Sequence, residues 1–458
     1  MNAEPATVPK DGDRRFAIQA LSVLATKVLM LASGLLASIV IARALGPTGL
    51  GTYTAVFAVV TLVLTLADLG IRQATTYLMG GRTYDDETIV GNVVALLLVA
   101  SVLATTIVAI VFWVGPARAH GAAVLVPALA SIPLLLTIAF TKGAALAKGW
   151  IRRVNLADVW QKGGFLAALV LLLLVLDAGI AGATLAHALG AGMAAVLSLF
   201  WLQQVAPLRP RFDRPVVARL LRLGIVYAVV LFALNLNYRI DIVLIEALLG
   251  PREVGFYAVG VRFAELVWQL PAALGVVLFS ASARASGSHE AVERTISVLR
   301  TTLPLVVAAC LAIAIVAPWL IPGVFGAAFE ASTASTRLLM PGVATAVVFK
   351  LLYADVAGRG RPAAGLWVFV PMAAANVVLN LVLIPRSGIE GAALATSITY
   401  VLGAVAFATQ YGRREGVSVR DLFVPRRSDV ELLGRRRPPD RSGSIDDSES
   451  GRTTKGEA

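Results

Sequence analysis

Long apolar runs alternate with short polar breaks over nearly the whole chain. A helix needs about 20 apolar residues to cross a bilayer, and these runs meet or exceed that length. Twelve spans are predicted, at about 17–43, 50–71, 88–114, 121–145, 154–176, 180–203, 219–246, 252–282, 296–317, 336–357, 362–384 and 388–411. Several are longer than the bilayer requires, so tilt or overhang is expected. Barrel strands would be short and would alternate apolar with polar residues, which these runs do not. The first run, about Ile18 to Leu45, carries Lys27 and is too long for a signal-peptide core. It reads as a retained span.

A repeat underlies the pattern. Leu45-Gly46-Pro47-Thr48-Gly49-Leu50-Gly51-Thr52-Tyr53 returns 204 positions later as Leu249-Gly250-Pro251-Arg252-Glu253-Val254-Gly255-Phe256-Tyr257. Gly179-Ile180-Ala181-Gly182-Ala183-Thr184-Leu185-Ala186 returns 209 positions later as Gly388-Ile389-Glu390-Gly391-Ala392-Ala393-Leu394-Ala395. Gly and Pro between helices are ordinary turn chemistry, so one match would carry little. Two matches in one order at nearly one offset point to two homologous halves. The fold class expected is all-α: twelve transmembrane helices in two six-helix bundles, a transporter with its pathway between them.

Composition agrees with this reading. The 458 residues are 58% hydrophobic and only 15% charged, against about 25% charged in a soluble domain. One cysteine, Cys310, excludes a disulfide framework and a cysteine-based metal site. His120, His187 and His289 are isolated in sequence, so no metal or other cofactor is expected. The formal net charge of +12 does not indicate nucleic acid, because the basic residues are scattered over loops and the tail rather than gathered with aromatics in one patch.

The loop charges predict orientation. With the N-terminus in the cytoplasm, the inner segments hold nineteen Lys or Arg residues, the C-terminal tail aside, and the outer loops hold five: Arg43, Arg118, Arg252, Arg337 and Arg386. That asymmetry puts both termini inside. The predicted organisation is a cytoplasmic tail (1–16), a first bundle (17–203), a cytoplasmic linker (204–218) rich in Pro and Arg, a second bundle (219–411) and a basic tail (412–458). Six spans per half make the repeat parallel, about an axis along the membrane normal. The tail composition predicts disorder, and a solvated topogenic role is favoured over attachment to anionic lipid.

The candidate chemistry lies in charges within the apolar runs. Lys27, Lys162, Arg239, Arg262 and Lys350 fall inside spans, and Asp68, Asp158, Asp241, Glu265 and Asp355 fall in or near them. A charge at the bilayer centre costs about 2.5–3.5 kcal/mol on insertion scales, so each needs a wet cavity or a partner. Asp158 and Lys162 are spaced to pair on one helix face, as are Asp68 and Arg72. Arg262, Glu265 and Gln269 make a polar stripe on one face. Asn235 with Arg239, and Asn237 with Asp241, make the seventh span polar on two sides, so it is buried on both or irregular. Spans from both halves supply the five cations, which suit an anionic site for phosphate groups. The competing reading is structural ion pairing, and it applies with equal force to Asp158–Lys162 and Arg262–Glu265. Lys27 and Lys350 have no same-helix acid and are expected to line the cavity.

The stretch from Ala42-Arg43-Ala44-Leu45-Gly46-Pro47 through Gly51-Thr52-Tyr53, then Ala67-Asp68-Leu69-Gly70, resembles the start of the polysaccharide-biosynthesis flippases (the Wzx group). These belong to the multidrug/oligosaccharidyl-lipid/polysaccharide exporter superfamily. Arg239-Ile240-Asp241, Gly250-Pro251, Val254-Gly255-Phe256-Tyr257, Asn376-Val377-Val378-Leu379-Asn380, Ile384-Pro385 and Gly391-Ala392-Ala393-Leu394-Ala395 extend the resemblance over about 15–410. It implies two lobes around a central cavity, in a V-shaped transporter like the multidrug exporters. It also implies movement of a polyprenyl-pyrophosphate-linked oligosaccharide from the inner to the outer leaflet of a bacterial cell membrane by alternating access. Implied partners are that glycan lipid, membrane lipids, and a glycan polymerase with its chain-length machinery. If an ion couples to transport, Asp158, Asp241, Glu265 and Asp355 are the acids to carry it. The alternatives are a multidrug cation exporter, which would have an acidic and aromatic cavity, and a peptidoglycan-precursor flippase, often with fourteen spans. A membrane glycosyltransferase would need a bulky outer domain and a catalytic carboxylate, and the outer loops are short.

Overall fold

A computed structural model describes the backbone of residues 10–81, 84–284 and 289–424, and the side chains at 30, 32–81, 84–282 and 291–424. Lys27 and the basic tail beyond 424 therefore lie outside the described side chains. The described residues are helical throughout, without a strand. In order the helices are α1 (Lys10–Ala67), α2 (Ile71–Gly80), α3 (Asp86–Val114), α4 (Ala122–Ala147), α5 (Ile151–Leu169), α6 (Gly179–Leu202), α7 (Arg214–Leu249), α8 (Pro251–Val267), α9 (Gln269–Arg284), α10 (His289–Phe325), α11 (Ser332–Gly358) and α12 (Leu366–Glu415). A single π-helical turn, Val170–Val175, extends α5.

Among the described residues, nine helices are long and apolar enough to cross a membrane, or ten when α8 and α9, bent by 41° at Trp268, count as one. Twelve spans were expected. The difference lies in α1 and α12, where helical hydrogen bonding runs on through a kink. Gly46 (φ 66°, ψ −169°) breaks α1 before Pro47, and Ser387 and Gly388 (φ 57°, ψ −139°) break α12. Each kink separates two of the apolar stretches read from the sequence. The left-handed φ requires glycine, and proline suits the first turn of the helix that follows.

The repeated motif is also a packing motif. Gly250 (φ 92°, ψ 174°) takes nearly the backbone conformation of Gly46, 204 positions earlier. Gly51 and Gly255, also 204 apart, meet across the molecule. A Cβ at Gly51 would lie 1.6 Å from the Pro251 carbonyl oxygen, and one at Gly255 would lie 1.9 Å from that of Pro47. The 47–67 part of α1 thus crosses α8 backbone to backbone, each glycine seated on the carbonyl of the other copy's proline. Close approach through small residues is how helices associate without a hydrophobic drive between them. At the same end of the molecule, Arg43 donates to the carbonyls of Gly323 (2.5 Å) and Val324 (2.8 Å), and His120 Nε2 meets Glu246 Oε1 at 2.7 Å.

Toward the other end, α7 meets the turn between α1 and α2, where a Cβ at Gly224 would lie 2.1 Å from the Leu69 carbonyl oxygen. The polar segment before α7 is pinned to α3: Arg211 bonds Glu87 (2.7 Å), and Asn92 donates to Asp213 (3.0 Å). Outside the packed interior, α3 exposes Leu98, Val99, Val102, Leu103, Ile107 and Ile110. Such a large apolar surface fits hydrocarbon and not water.

Candidate functional site

An open cavity of about 360 Å³ lies between α1, α5, α8 and α9, lined by Met30, Gly34, Leu35, Lys162, Arg262, Glu265, Leu266 and Gln269. The polar stripe expected on the eighth span supplies three of these, because residues three and four apart share a helix face. Glu265 is the hub. Its Oε2 accepts from Arg262 Nη1 at 2.7 Å, and its Oε1 accepts from Arg239 Nη2 of α7 at 2.8 Å. All three side chains remain 25–26% exposed; Arg262 and Glu265 line the cavity, and Arg239 stands behind them, joined through Glu265. Lys162 joins them from α5. Among the described residues, three basic side chains thus stand against one carboxylate.

The pairing expected for Lys162 is corrected. Asp158 bonds Lys142 of α4, not Lys162 on its own helix. Lys162 has no carboxylate within ion-pair distance among the described residues. The Asp68–Arg72 pair is not formed either. Leu69 (φ 48°) and Gly70 (φ 65°) break the helix between them, and Asp68 Oδ1 is buried without a hydrogen bond. Arg262–Glu265 does form, and Arg239 is an addition that spacing on one helix could not show.

Lys350 does not line this cavity. Its Nζ lies over the rings of Trp268 (4.2 Å) and Tyr238 (4.5 Å), with no carboxylate among the described residues in reach. Cation–π attraction of about 0.5–2 kcal/mol replaces an ion pair there. Trp268 is held by its indole N–H, which donates to the Val343 carbonyl at 3.2 Å, and it directly precedes Gln269 of the cavity wall.

The acids proposed for ion coupling separate into different settings. Asp241 is buried on the opposite side of α7 from Arg239, where Tyr257 donates to Oδ2 and the Ile242 N–H donates to Oδ1 at 2.8 Å. The helix is regular here: the Asn237/Asp241 side is covered, with Asn237 donating to the Phe369 carbonyl at 3.3 Å, while Arg239 on the other side remains partly exposed beside Glu265. Asp355 lies far along α11 among Ser282 (2.5 Å), Arg359 (2.5 Å) and Tyr411 (2.8 Å), fastening α9, α11 and α12. Only Glu265 of the four lines the cavity. Removing one partner of a buried pair costs about 3–5 kcal/mol. Asp355→Ala should therefore lower the thermal unfolding midpoint sharply while the surviving folded protein keeps its substrate affinity. A change in affinity at unchanged stability would assign Asp355 to transport instead.

Sequence reasoning passed over a half-buried histidine. Tyr53 Oη meets His187 Nδ1 at 2.8 Å, and the imidazole stacks on Phe57 with ring centroids 4.0 Å apart. The repeat was the available signal. Tyr53 corresponds to Tyr257 at an offset of 204, and His187 corresponds to Thr396 at an offset of 209. The second copy makes the same kind of contact, Tyr257 Oη to Thr396 Oγ1 at 3.5 Å. His187→Ala should leave Tyr53 without its partner and cost about 1–3 kcal/mol in a melting experiment, whereas His187→Gln should recover part of the loss.

No group of three or more His, Cys, Asp or Glu side chains among the described residues could hold a metal ion. The arrangement is a basic pocket inside a helical membrane protein, suited to an anion.

Comparison with known proteins defines the class first. The fold is that of solved membrane transporters. A lipid II flippase, MurJ, in an inward closed conformation superposes with a TM-score of 0.73 at 12% identity, covering 89% of each chain. An inward-facing multidrug-resistance transporter of the MATE family and MOP superfamily gives 0.66 at 16% identity, covering 87% of this chain and 98% of that one. A Pyrococcus furiosus MOP-superfamily transporter, described as having a binding pocket of reverse polarity, gives 0.60 at 15% identity, covering 88% and 95%. No curated protein matches the chain significantly in sequence. Residues 40–334 match the family model described as polysaccharide biosynthesis protein, and the chain belongs to that family.

Proposed function

We propose that this protein is a flippase that carries a polyprenyl-diphosphate-linked oligosaccharide from the inner to the outer leaflet of a bacterial cell membrane. The observation that carries the reading is the cavity itself, where, among the described residues, Lys162 and Arg262, with Arg239 joined through the same carboxylate, stand against Glu265. A diphosphate cannot enter hydrocarbon unaided, and guanidinium groups match its oxygens in geometry and charge. The glycan rides in the aqueous cavity, and the polyprenyl tail stays in lipid. The family's place in polysaccharide biosynthesis and the lipid II flippase among the solved neighbours favour a lipid-linked glycan over a free ion.

The organisation proposed with it is two six-helix bundles, 17–203 and 219–411, joined by 204–218, with twelve crossings and both termini cytoplasmic. Gly46 and Gly250 then lie at the outer face. The Gly51–Gly255 crossing, the Arg43 bonds and His120–Glu246 close the outer side between the bundles. A membrane potential negative inside favours outward movement of an anion by about 2.3 kcal/mol per charge per 100 mV, which gives the cycle a direction. The second reading is a multidrug cation exporter. The fold neighbours permit it, but a cavity with three basic groups repels its cargo.

Liposomes holding the purified protein and a fluorescent polyprenyl-diphosphate oligosaccharide test the reading. Leaflet exchange should require the protein and should fall about tenfold in Lys162→Ala, the loss of one charge-assisted contact. Exchange that persists unchanged in Lys162→Ala would remove that lysine from the site. Saturable efflux of cationic drugs with no lipid exchange would establish the exporter.

A further inference from the structure

The hub residue Glu265 points to a more specific role. A carrier that delivers its anion must return empty, and the empty site keeps its cations. Several unpaired cations in a low-dielectric passage are costly, because nothing replaces the water or counter-ion they leave. Glu265 sits where a diphosphate would sit. Its two oxygens are divided between two arginines from different helices, Arg239 of α7 and Arg262 of α8. Each guanidinium gives it one nitrogen only, through Nη2 and Nη1 respectively, rather than the two-point fork that makes Arg–carboxylate pairs strongest. The bonds are single, partly wetted and open to the cavity, so they are exchangeable.

We propose that Glu265 is a built-in substitute for the substrate's diphosphate. It occupies Arg239 and Arg262 during the empty return, and the arriving diphosphate displaces it. Lys162, which no carboxylate among the described residues holds, meets the phosphate first. The inference rests on the diphosphate reading above. It deepens that reading by making the acid in the site a competitor of the substrate instead of a support for the arginines.

Competition has a measurable signature. A ligand binds more weakly by the fraction of time its site is free. Removing the competitor should tighten binding and slow the return step, while substrate-for-substrate exchange, which skips the empty return, is spared. The variants are Glu265→Gln, which keeps the shape and removes the charge, and Glu265→Asp, which keeps the charge on a shorter arm. Inorganic pyrophosphate binding to the purified full-length protein is measured by calorimetry. Movement of a fluorescent polyprenyl-diphosphate disaccharide is then followed in liposomes, with unlabelled lipid in the far leaflet (exchange) or without it (net movement).

For Glu265→Gln the expected result is pyrophosphate binding about tenfold tighter than wild type, net movement reduced about tenfold, and exchange reduced clearly less than net movement. Glu265→Asp should retain most of the net movement. Pyrophosphate binding that is unchanged or weaker in Glu265→Gln would overturn the proposal, as would net movement and exchange falling to the same extent. Either result leaves the flippase reading standing if wild type binds pyrophosphate and moves the lipid. Failure of both wild type and Glu265→Gln to bind pyrophosphate or move the lipid would overturn both. Thermal unfolding of each variant identifies misfolding. If Glu265→Gln does not fold, Glu265→Asp decides: pyrophosphate binding weaker than wild type would overturn the proposal, and binding equal to or tighter than wild type with net movement largely retained would support it.

Discussion

Arg262→Ala is expected to reduce transport of a diphosphate-linked lipid by about 10- to 100-fold, as loss of a charged hydrogen bond of about 1.5–3 kcal/mol requires. Arg262 lines the cavity and bonds Glu265 at 2.7 Å. Its loss removes a phosphate ligand and also leaves Glu265 to Arg239 alone. The remaining site holds two basic groups against one acid, and a dianionic head group is then poorly matched. Arg262→Lys should recover only part of the activity, because an ammonium is a point charge and not a planar fork. The readout is initial transport rate against substrate concentration, at equal amounts of folded protein. A variant with wild-type rate and apparent affinity would place Arg262 among the structural ion pairs.

The second large effect is expected from the crossing glycines. Gly51→Val and Gly255→Val each set a branched side chain where a Cβ alone would lie 1.6 Å or 1.9 Å from a backbone oxygen. No side chain can rotate out of the way, because the obstacle is main chain. The two helices must separate along their contact, at an expected cost of about 5 kcal/mol or more, in the range that identifies a specific disrupted feature. The expected outcome is loss of monodisperse, folded protein in detergent. Gly163→Ala is the control: it lies in α5 with nothing within 4 Å of its Cβ, so the same class of change should be tolerated. Normal yield and melting of Gly51→Val would show that the two copies of the motif do not meet.

Much of the fold was legible because the dominant signal, the length of apolar runs, is one-dimensional. The predicted 88–114 span and the observed Asp86–Val114 helix differ by two residues at one end. The long 252–282 span appears as α8 and α9, bent at Trp268, and the signal passed over was Pro271 in the first turn of α9, which removes a backbone donor and crowds the preceding turn. Gly46 lies in the break read between the first two spans and Gly388 was read as the first residue of the twelfth, and the helices bend at both with positive φ. The repeat offset of 204 proved sufficient to foresee equivalent positions. It was not used to foresee that Gly51 and Gly255 touch.

The site was legible in its residue types more than in its contacts. Spacing along one helix correctly joins Arg262 to Glu265. It also joins Asp158 to Lys162, where tertiary packing brings in Lys142 from α4 instead. A same-helix rule ranks partners only by what the helix itself can reach, whereas a neighbouring helix packs as close. Lys350 looked like a cavity cation because no acid lay near it in sequence. Its partners are instead the aromatic faces of Tyr238 and Trp268, from α7 and from the bend between α8 and α9, which charge counting does not see. Asp355 was named as a coupling acid because it falls in an apolar span, and it is satisfied by Ser282 of α9, Tyr411 of α12 and Arg359 just past the end of its own helix.

Head-group dependence of transbilayer movement tests the central claim most directly. Wild-type protein in liposomes would be given two fluorescent lipids with the same polyprenyl tail and glycan, one joined through a diphosphate and one through an uncharged linkage. If the basic cavity selects the diphosphate, the first lipid moves, the second does not, and inorganic pyrophosphate inhibits the movement. Equal movement of both lipids, or movement indifferent to pyrophosphate, would contradict a site built on Lys162, Arg239 and Arg262.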